Sequence, residues 1–371
     1  MNKKSFKLPF DRVVGVDLGN GFVKVRGLTN GGIPYTLTLP SCFAYLRDVG
    51  DEIGDEDLDL DTFLIDGVEY VWGEDINELE AQHIVHTSGY DNRYKSDNYK
   101  IMVQIVLSRI AKDLEIGARE KILLVTGVPS GESGTEKENE IYDAFSGKNE
   151  GSYRIPVNGE DQVFKLEKIV VDSQALATIK GRYLDTDGTV LNDKYEKWNV
   201  AVIDIGAGTT DLDIVNKLRR QKVNHSVQKG FRDIYNGIRD EINKVYVGHT
   251  VTDYELLNII ELTKFKRKES GDDSIPFLYT PSEKKKPVDF TKAFFDGIKE
   301  VSVATQEAIV DKWKSQAGLD EILLVGASAE EFKEHLQNVS YIIEIPENNT
   351  NSNVEGYYRF GVALNKAMAK G

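Results

Sequence analysis

Two stretches of this chain set a carboxylate beside a glycine turn. In Val13–Val25, VVGVDLGNGFVKV, Asp17 precedes Leu18-Gly19-Asn20-Gly21 and Lys24 follows. In Ala201–Val215, AVIDIGAGTTDLDIV, Asp204 precedes Gly206-Ala207-Gly208-Thr209-Thr210 and Asp211 follows. Glycine reaches φ > 0 and lets a ligand approach with no Cβ in the way. Successive backbone N–H groups in such turns form a nest for an anion. An aspartate at a strand end is a hard oxygen ligand that holds Mg²⁺ through water and leaves room for phosphate. A lysine adds a compact positive charge. The chemistry these residues suit is a grip on a polyphosphate from two sides, with Asp17 and Asp204 as the metal carboxylates. One copy alone would read as an ordinary hairpin. The same Asp-(Leu/Ile)-Gly-x-Gly register in both copies argues against that. Neither completes G-x-G-x-x-G, and no Walker GK[ST] occurs. Both turns run from strand to strand, unlike the strand-to-helix loops of dinucleotide folds.

Positioning such turns takes two similarly built halves. Around them, Phe63–Trp72 reads as a hairpin turning at Asp66-Gly67, and Tyr153–Val171 as one turning at Asn158-Gly159. Lys121–Val128, KILLVTGV, and Glu321–Val325, EILLV, read as buried strands. Helical spacing predicts helices over Asn98–Glu115, from Thr135 onward, and over Ser173–Tyr183, Lys229–Val245, Thr252–Lys268, Phe290–Ala317 and Gly356–Ala369. Ser328 with Glu331 three residues on predicts a capping box. Ser270–Pro287 reads as a polar loop. Asp48–Asp61, more than half acidic, reads as an exposed loop or short linker. The fold class is α/β, with two mixed-sheet halves.

The 371 residues suit two domains. Hydrophobic residues make up 40% and charged residues 29%, an ordinary globular balance. No run approaches the ~18 apolar residues of a membrane span, and MNKKSFKLPFDR lacks the apolar stretch of a secretory signal. Cys42 is the single cysteine, which excludes intrachain disulfides and suits a reducing cytoplasm. A net charge of -15 repels a phosphate backbone, so direct nucleic-acid binding is not expected. Two basic runs, Lys264–Lys268 and Lys284–Lys286, interrupt that surface and read as a solvated helix end and loop, or as docking points for an acidic partner. The five histidines offer no HExxH, and Gly326-Ala327-Ser328-Ala329 falls short of G-x-S-x-G. Trp198 and Trp313 read as packing residues.

At VGVDLGNGFVK (14–24) and VIDIGAGTTDLDIV (202–215) the chain resembles the actin/hexokinase/heat-shock ATPase superfamily, which carries these as its two phosphate motifs. Within it the chain is most similar to the bacterial actin-like plasmid-segregation ATPases, the ParM/StbA family. ILLVGASAEEF (322–332) stands where the family has its adenosine motif. TGVPSGESGT (126–135) is similar to its loop after a central strand. QKGFRDIY (228–235) is similar to its glycine-bearing turn into a helix near the nucleotide. The resemblance implies an actin-like fold, with two domains hinged about an ATP cleft. It divides the chain into residues 1–180 completed by 352–371, with a smaller subdomain at 33–97, and residues 181–351, with one at 226–289.

It implies that ATP, or GTP, and Mg²⁺ bind through Asp17, Gly19, Asn20, Gly21, Lys24, Gly206, Gly208, Thr209, Thr210, Gly230, Lys264, Gly326 and Ala327. Asp204 would serve the metal, and three residues are open as the group that orients the attacking water: Asp172, Gln174 and Asp211. The family polymerises into filaments on ATP binding and segregates plasmids through a DNA-binding adaptor of the ParR type, with no membrane involved. The chain departs from the pattern at Gly326-Ala327-Ser328-Ala329, where the family carries more glycines, and base selectivity follows that change. Two rivals share the core. A small-molecule kinase needs an acceptor pocket, and no sugar-binding signature is evident. A membrane-tethered actin-like scaffold needs an interfacial helix, and the tail VALNKAMAKG has no aromatic anchor.

Overall fold

The computed structural model describes residues 8–50, 58–87, 92–313, 316–340 and 342–370. Of the acidic stretch 48–61, residues 51–57 lie outside the described residues.

The first half holds β1 (Arg12–Leu18), β2 (Phe22–Leu28), β3 (Pro34–Pro40), β4 (Cys42–Tyr45), β5 (Leu60–Ile65), β6 (Val68–Gly73) and β7 (Val85–His86). After α1 (Asp97–Asp113) come β8 (Lys121–Val128), α2 (Glu136–Ser146), β9 (Ser152–Val157), β10 (Glu160–Ser173) and α3 (Gln174–Tyr183). The second half holds β11 (Asn199–Ile205), β12 (Thr210–Asn216), β13 (Arg219–Val227), α4 (Phe231–Val245) and α5 (Asp253–Ser270). It continues with β14 (Leu278–Tyr279), β15 (Val288–Asp289), α6 (Thr291–Lys312), β16 (Glu321–Gly326), α7 (Ala329–Leu336), β17 (Ile343–Glu344) and α8 (Ser352–Met368).

The two sheets repeat one plan. In the first, β3-β2-β1 form an antiparallel meander, and β1, β8 and β10 run parallel. In the second, β13-β12-β11 form the meander, and β11, β16 and β17 run parallel. The first sheet continues past β10 through β9, β5, β6, β4 and β7. β8 and β16 lie at the centre of each plan, covered on both faces, and therefore read as unbroken apolar runs.

Local chemistry explains the joints. Asp66-Gly67 and Asn158-Gly159 take positive φ at both turn residues, the mirror-type turn that matches strand twist. Thr135 caps α2 by accepting from the Lys137 N–H, and Thr252 forms a full capping box with Glu255 at α5. Helix α6 stops at Lys312, short of the expected Ala317, where Trp313 turns into the core.

Helix α3 lies between the sheets. Ala175 and Ile179 pack on β11 and β16 of the second half, and Ala177 packs with Tyr357 of α8 against β8 of the first. Helix α8 also covers β1. A Cβ on Gly15 would stand 2.8 Å from the Val354 carbonyl, and one on Gly356 would stand 1.8 Å from the Ala177 carbonyl. These glycines let three backbones meet at the base of the cleft. Among the described residues, no helix is long and apolar enough to cross a membrane.

Candidate functional site

The β1–β2 and β11–β12 turns close in the same way. The Gly19 N–H donates to the Phe22 carbonyl at 2.9 Å, and the Gly206 N–H donates to the Thr209 carbonyl at 2.8 Å. The turns face each other: a Cβ on Gly21 would stand 3.3 Å from the Ala207 Cβ. Between them opens a cleft of about 1420 Å³. Asp17, Asn20, Lys24, Gln174, Asp204 and Asp211 line it, together with Gly19, Gly21, Gly206, Gly208 and Thr209. Its far end is lined by Lys264, Gly326 and Ala327.

The carboxylates differ because their cross-strand partners differ. Asp17 sits opposite Lys24, and Asp204 sits opposite Asp211. Burial raises the Asp17 pKa, against the pull of Lys24, Arg93 and a hydrogen bond from Gln174. Burial pushes Asp204 up to about 6, relieved by a hydrogen bond from Asn353 and aggravated by the Asp17 charge. Burial pushes Asp211 up to about 7; the Ser226 hydroxyl lowers it, and Asp204 and Asp213 raise it. Asp211 Oδ1 and Asn20 Oδ1 are buried without a hydrogen-bond partner. Such a cluster calls for positive charge. Among the described residues, no three ligating side chains converge to cage a metal by themselves. Asp17 and Asp204 offer hard oxygen donors of the kind that suit a Mg²⁺ held largely through water and phosphate.

Three expected site residues stand elsewhere. Asp172 is absent from the cleft lining; Lys180 Nζ holds its Oδ2 at 2.6 Å. Thr210 is fully buried, and its hydroxyl donates to the Lys229 carbonyl at 3.0 Å. Gly230 lies behind the second turn, where a Cβ would stand 2.6 Å from the Gly206 carbonyl. It seats α4 against the turn, whose carbonyls at Gly206 and Ala207 accept from the Phe231 and Arg232 N–H groups.

The expected capping box at Ser328 is also absent. Ser328 takes φ 53, and its side chain makes no cap. Lys264 Nζ instead donates to the Ser328 hydroxyl at 2.5 Å and pairs with Glu331 at 2.9 Å. Two neighbours were not foreseen. Arg93 donates from Nη2 to the Leu18 carbonyl at 3.0 Å and the Gly19 carbonyl at 2.6 Å, which braces the first turn. Asn353, at the start of α8, donates to Asp204 Oδ2 at 2.9 Å and accepts from Thr178 of α3 at 2.8 Å. No local signal marks either one: both sit in polar stretches and act across long separations.

Residues 15–176 match the family model described as the N-terminal domain of actin-like proteins. A search of curated protein sequences returned no match. Among solved structures, the apo pSK41 ParM protein is 20% identical with a TM-score of 0.69, over 97% of this chain and 99% of that one. The Bacillus thuringiensis ParM with ATP is 14% identical with a TM-score of 0.66, over 97% and 99%. A 15-stranded ParM filament from Clostridium botulinum is 18% identical with a TM-score of 0.64, over 94% and 98%. The chain has the actin-like ATPase fold, two mixed-sheet α/β halves around one cleft, and the resemblance to ParM extends along nearly its whole length.

Proposed function

We propose that this chain is a Mg²⁺-dependent actin-like ATPase of the ParM type. It polymerises in the cytoplasm on binding ATP, or GTP, and segregates plasmid DNA through a DNA-binding adaptor. Residues 1–180 with 352–371 make one domain and 181–351 the other. The observation that carries the reading is the pair of glycine turns face to face, with half-buried Asp17 and Asp204 and buried Asp211 lining the cleft between them.

The inner amides of both turns, at Asn20, Gly21, Ala207 and Gly208, bind the β- and γ-phosphates, and Thr209 adds a hydroxyl. Lys24 lies in the same cleft, where its ammonium now donates to the Thr350 carbonyl. Mg²⁺, when bound, supplies the positive charge that the phosphate oxygens and carboxylates share. Asp17 and, through water, Asp204 hold it. Gln174 suits the orientation of the attacking water, because its amide bonds Asp17 and faces the cleft. Asp211 suits acceptance of the water's proton. Asp172, tied to Lys180, suits neither role. Phosphoryl transfer is mostly positioning and charge stabilisation, so this equipment suffices. Loss of the γ-phosphate removes contacts that hold the halves closed, and this resets the filament subunit.

The test is electron microscopy and phosphate release on purified protein with ATP, GTP or ADP. Filaments with a triphosphate and slow loss after hydrolysis are expected. Gln174→Ala should bind ATP, release little phosphate and give longer-lived filaments, whereas Asp172→Ala should release phosphate normally. Absence of both filaments and hydrolysis with either triphosphate would sink the reading.

A further inference from the structure

Behind Asp211 the halves meet along a second seam. The short turn Ser130–Glu132, which follows β8 in the first half, lies against β13 of the second. Two contacts join them. Arg220 of β13 donates from Nη2 to the Ser130 carbonyl. Gly131 touches Ser226, so that an added Cβ would stand 3.5 Å from the Ser226 Cβ, and Ser226 is the residue opposite Asp211 in the β12–β13 ladder.

Two features aim Arg220 at the seam. Its Nε is held at 2.6 Å by Asp213 Oδ1, and the Asp213 side chain is 1% exposed. The β12–β13 ladder also loses register beside it: Asp213 faces Asn224, yet Val215 faces Arg220. An irregularity of this kind bends a strand and re-aims its side chains. Asp213 stands two residues after Asp211, on the same face of β12. A continuous chain of contacts therefore runs from the Ser130 carbonyl through Arg220 and Asp213 to the strand that presents Asp211. The planar guanidinium has donors for both acceptors in one geometry, which a lysine ammonium lacks.

We propose that Arg220 is a positioning residue for hydrolysis, tying the first half to β12 so that Asp211 reaches its working position only when the halves are seated together. The inference rests on the nucleotide-hydrolase reading above. It makes the catalytic carboxylate responsive to the relative placement of the halves, with no contact between Arg220 and the nucleotide.

The test uses the full-length protein with Mg-ATP and Mg-GTP. Arg220→Lys keeps a cation beside Asp213 and gives up the fork. The double variant Arg220→Met with Asp213→Asn removes both charges, so no buried carboxylate is left unpaired. Each should lower kcat by about 10- to 100-fold, the scale of a misplaced catalytic group. KM, and affinity for a non-hydrolysable ATP analogue, should stay within about three-fold, because ground-state contacts are untouched. Wild-type kcat in Arg220→Lys would show that Arg220 only neutralises Asp213, and wild-type kcat in the double variant would show that the seam is idle. Either result overturns the inference, as does a rise in KM at unchanged kcat. These outcomes are read against an active wild type; an inactive wild type instead removes the hydrolase reading and this inference with it.

Discussion

Asp204 and Asp211 lie desolvated beside other aspartates, a placement that a proton or a bound cation relieves. Burial pushes their carboxyls up to about 6 and about 7, and a neighbouring aspartate raises each further. A folded pKa above the unfolded one means that the native state keeps a proton the unfolded chain has released. Stability from these groups is therefore greatest in acid and falls as pH rises from about 4 to about 7. The nucleotide-free protein should melt at a lower temperature at pH 8 than at pH 5, and Mg-ATP should flatten that slope. Asp211→Asn should remove part of it, raising stability at pH 8 by about 1–3 kcal/mol while phosphate release is lost. An unchanged melting profile in Asp211→Asn would contradict the burial argument. Asp17→Ala and Asp204→Ala should each cost on the order of 10²-fold or more in hydrolysis, with circular dichroism unchanged. Near-normal turnover in either would remove the paired-carboxylate reading.

At the scale of elements, backbone proximity sets the sharpest limits. Gly356 lets α8 cross α3 with no space for a methyl group, so Gly356→Ala should cost about 3 kcal/mol through overpacking. A melting temperature equal to wild type would show that α8 shifts freely. The β12–β13 hairpin turns through Lys217 and Leu218, both at positive φ. A side chain in that region costs roughly 1–2 kcal/mol, less for asparagine. Lys217→Asn should therefore gain about 0.5–1 kcal/mol, read as a higher urea midpoint at constant slope.

These two elements also mark the limit of what the sequence discloses. The meander turns, both Asx-Gly hairpins and the helix starts at Thr135 and Thr252 are legible, because each is decided by residues within a few positions. The order of the first sheet beyond β10 and the wedge of α3 between sheets are not, because they depend on distant packing. Within the site, Asp17, Asp204 and Asp211 stand out by motif. Arg93 and Asn353 reach it across 74 and 149 positions with no local pattern to announce them. The capping box at Ser328 fails for the same reason: a lysine 64 positions away takes the hydroxyl.

Across the whole molecule, charge decides what the surface can hold. A net charge of -15 leaves no broad basic footprint, and folding thins the first of the two basic runs further. Lys264 turns into the cleft, and Arg267 lies over the Phe277 ring at 4.3 Å while its Nε donates to the Ile275 carbonyl. Of the cations in that run only Lys266 and Lys268 are exposed, and Lys284–Lys286 of the second run are exposed as well. Non-specific DNA affinity comes almost wholly from cations that neutralise phosphates and release counterions. A molecule this acidic pays for each such contact with long-range repulsion, weakened at ~150 mM salt by a Debye length of about 8 Å but not reversed. A segregation role therefore needs a second protein to carry the DNA contact. That adaptor's own acidic surface would meet the exposed lysines, or would meet the end subunit of a filament. The expected outcome is that the purified chain leaves duplex DNA unretained in a pull-down at ~150 mM salt, with or without ATP. Retention should appear when the product of a neighbouring gene is added, and should weaken when Lys266, Lys268 and Lys284–Lys286 are changed to glutamate. Tight retention by this chain alone would overturn the adaptor model. Adaptor binding indifferent to the lysine changes would move the contact to another face.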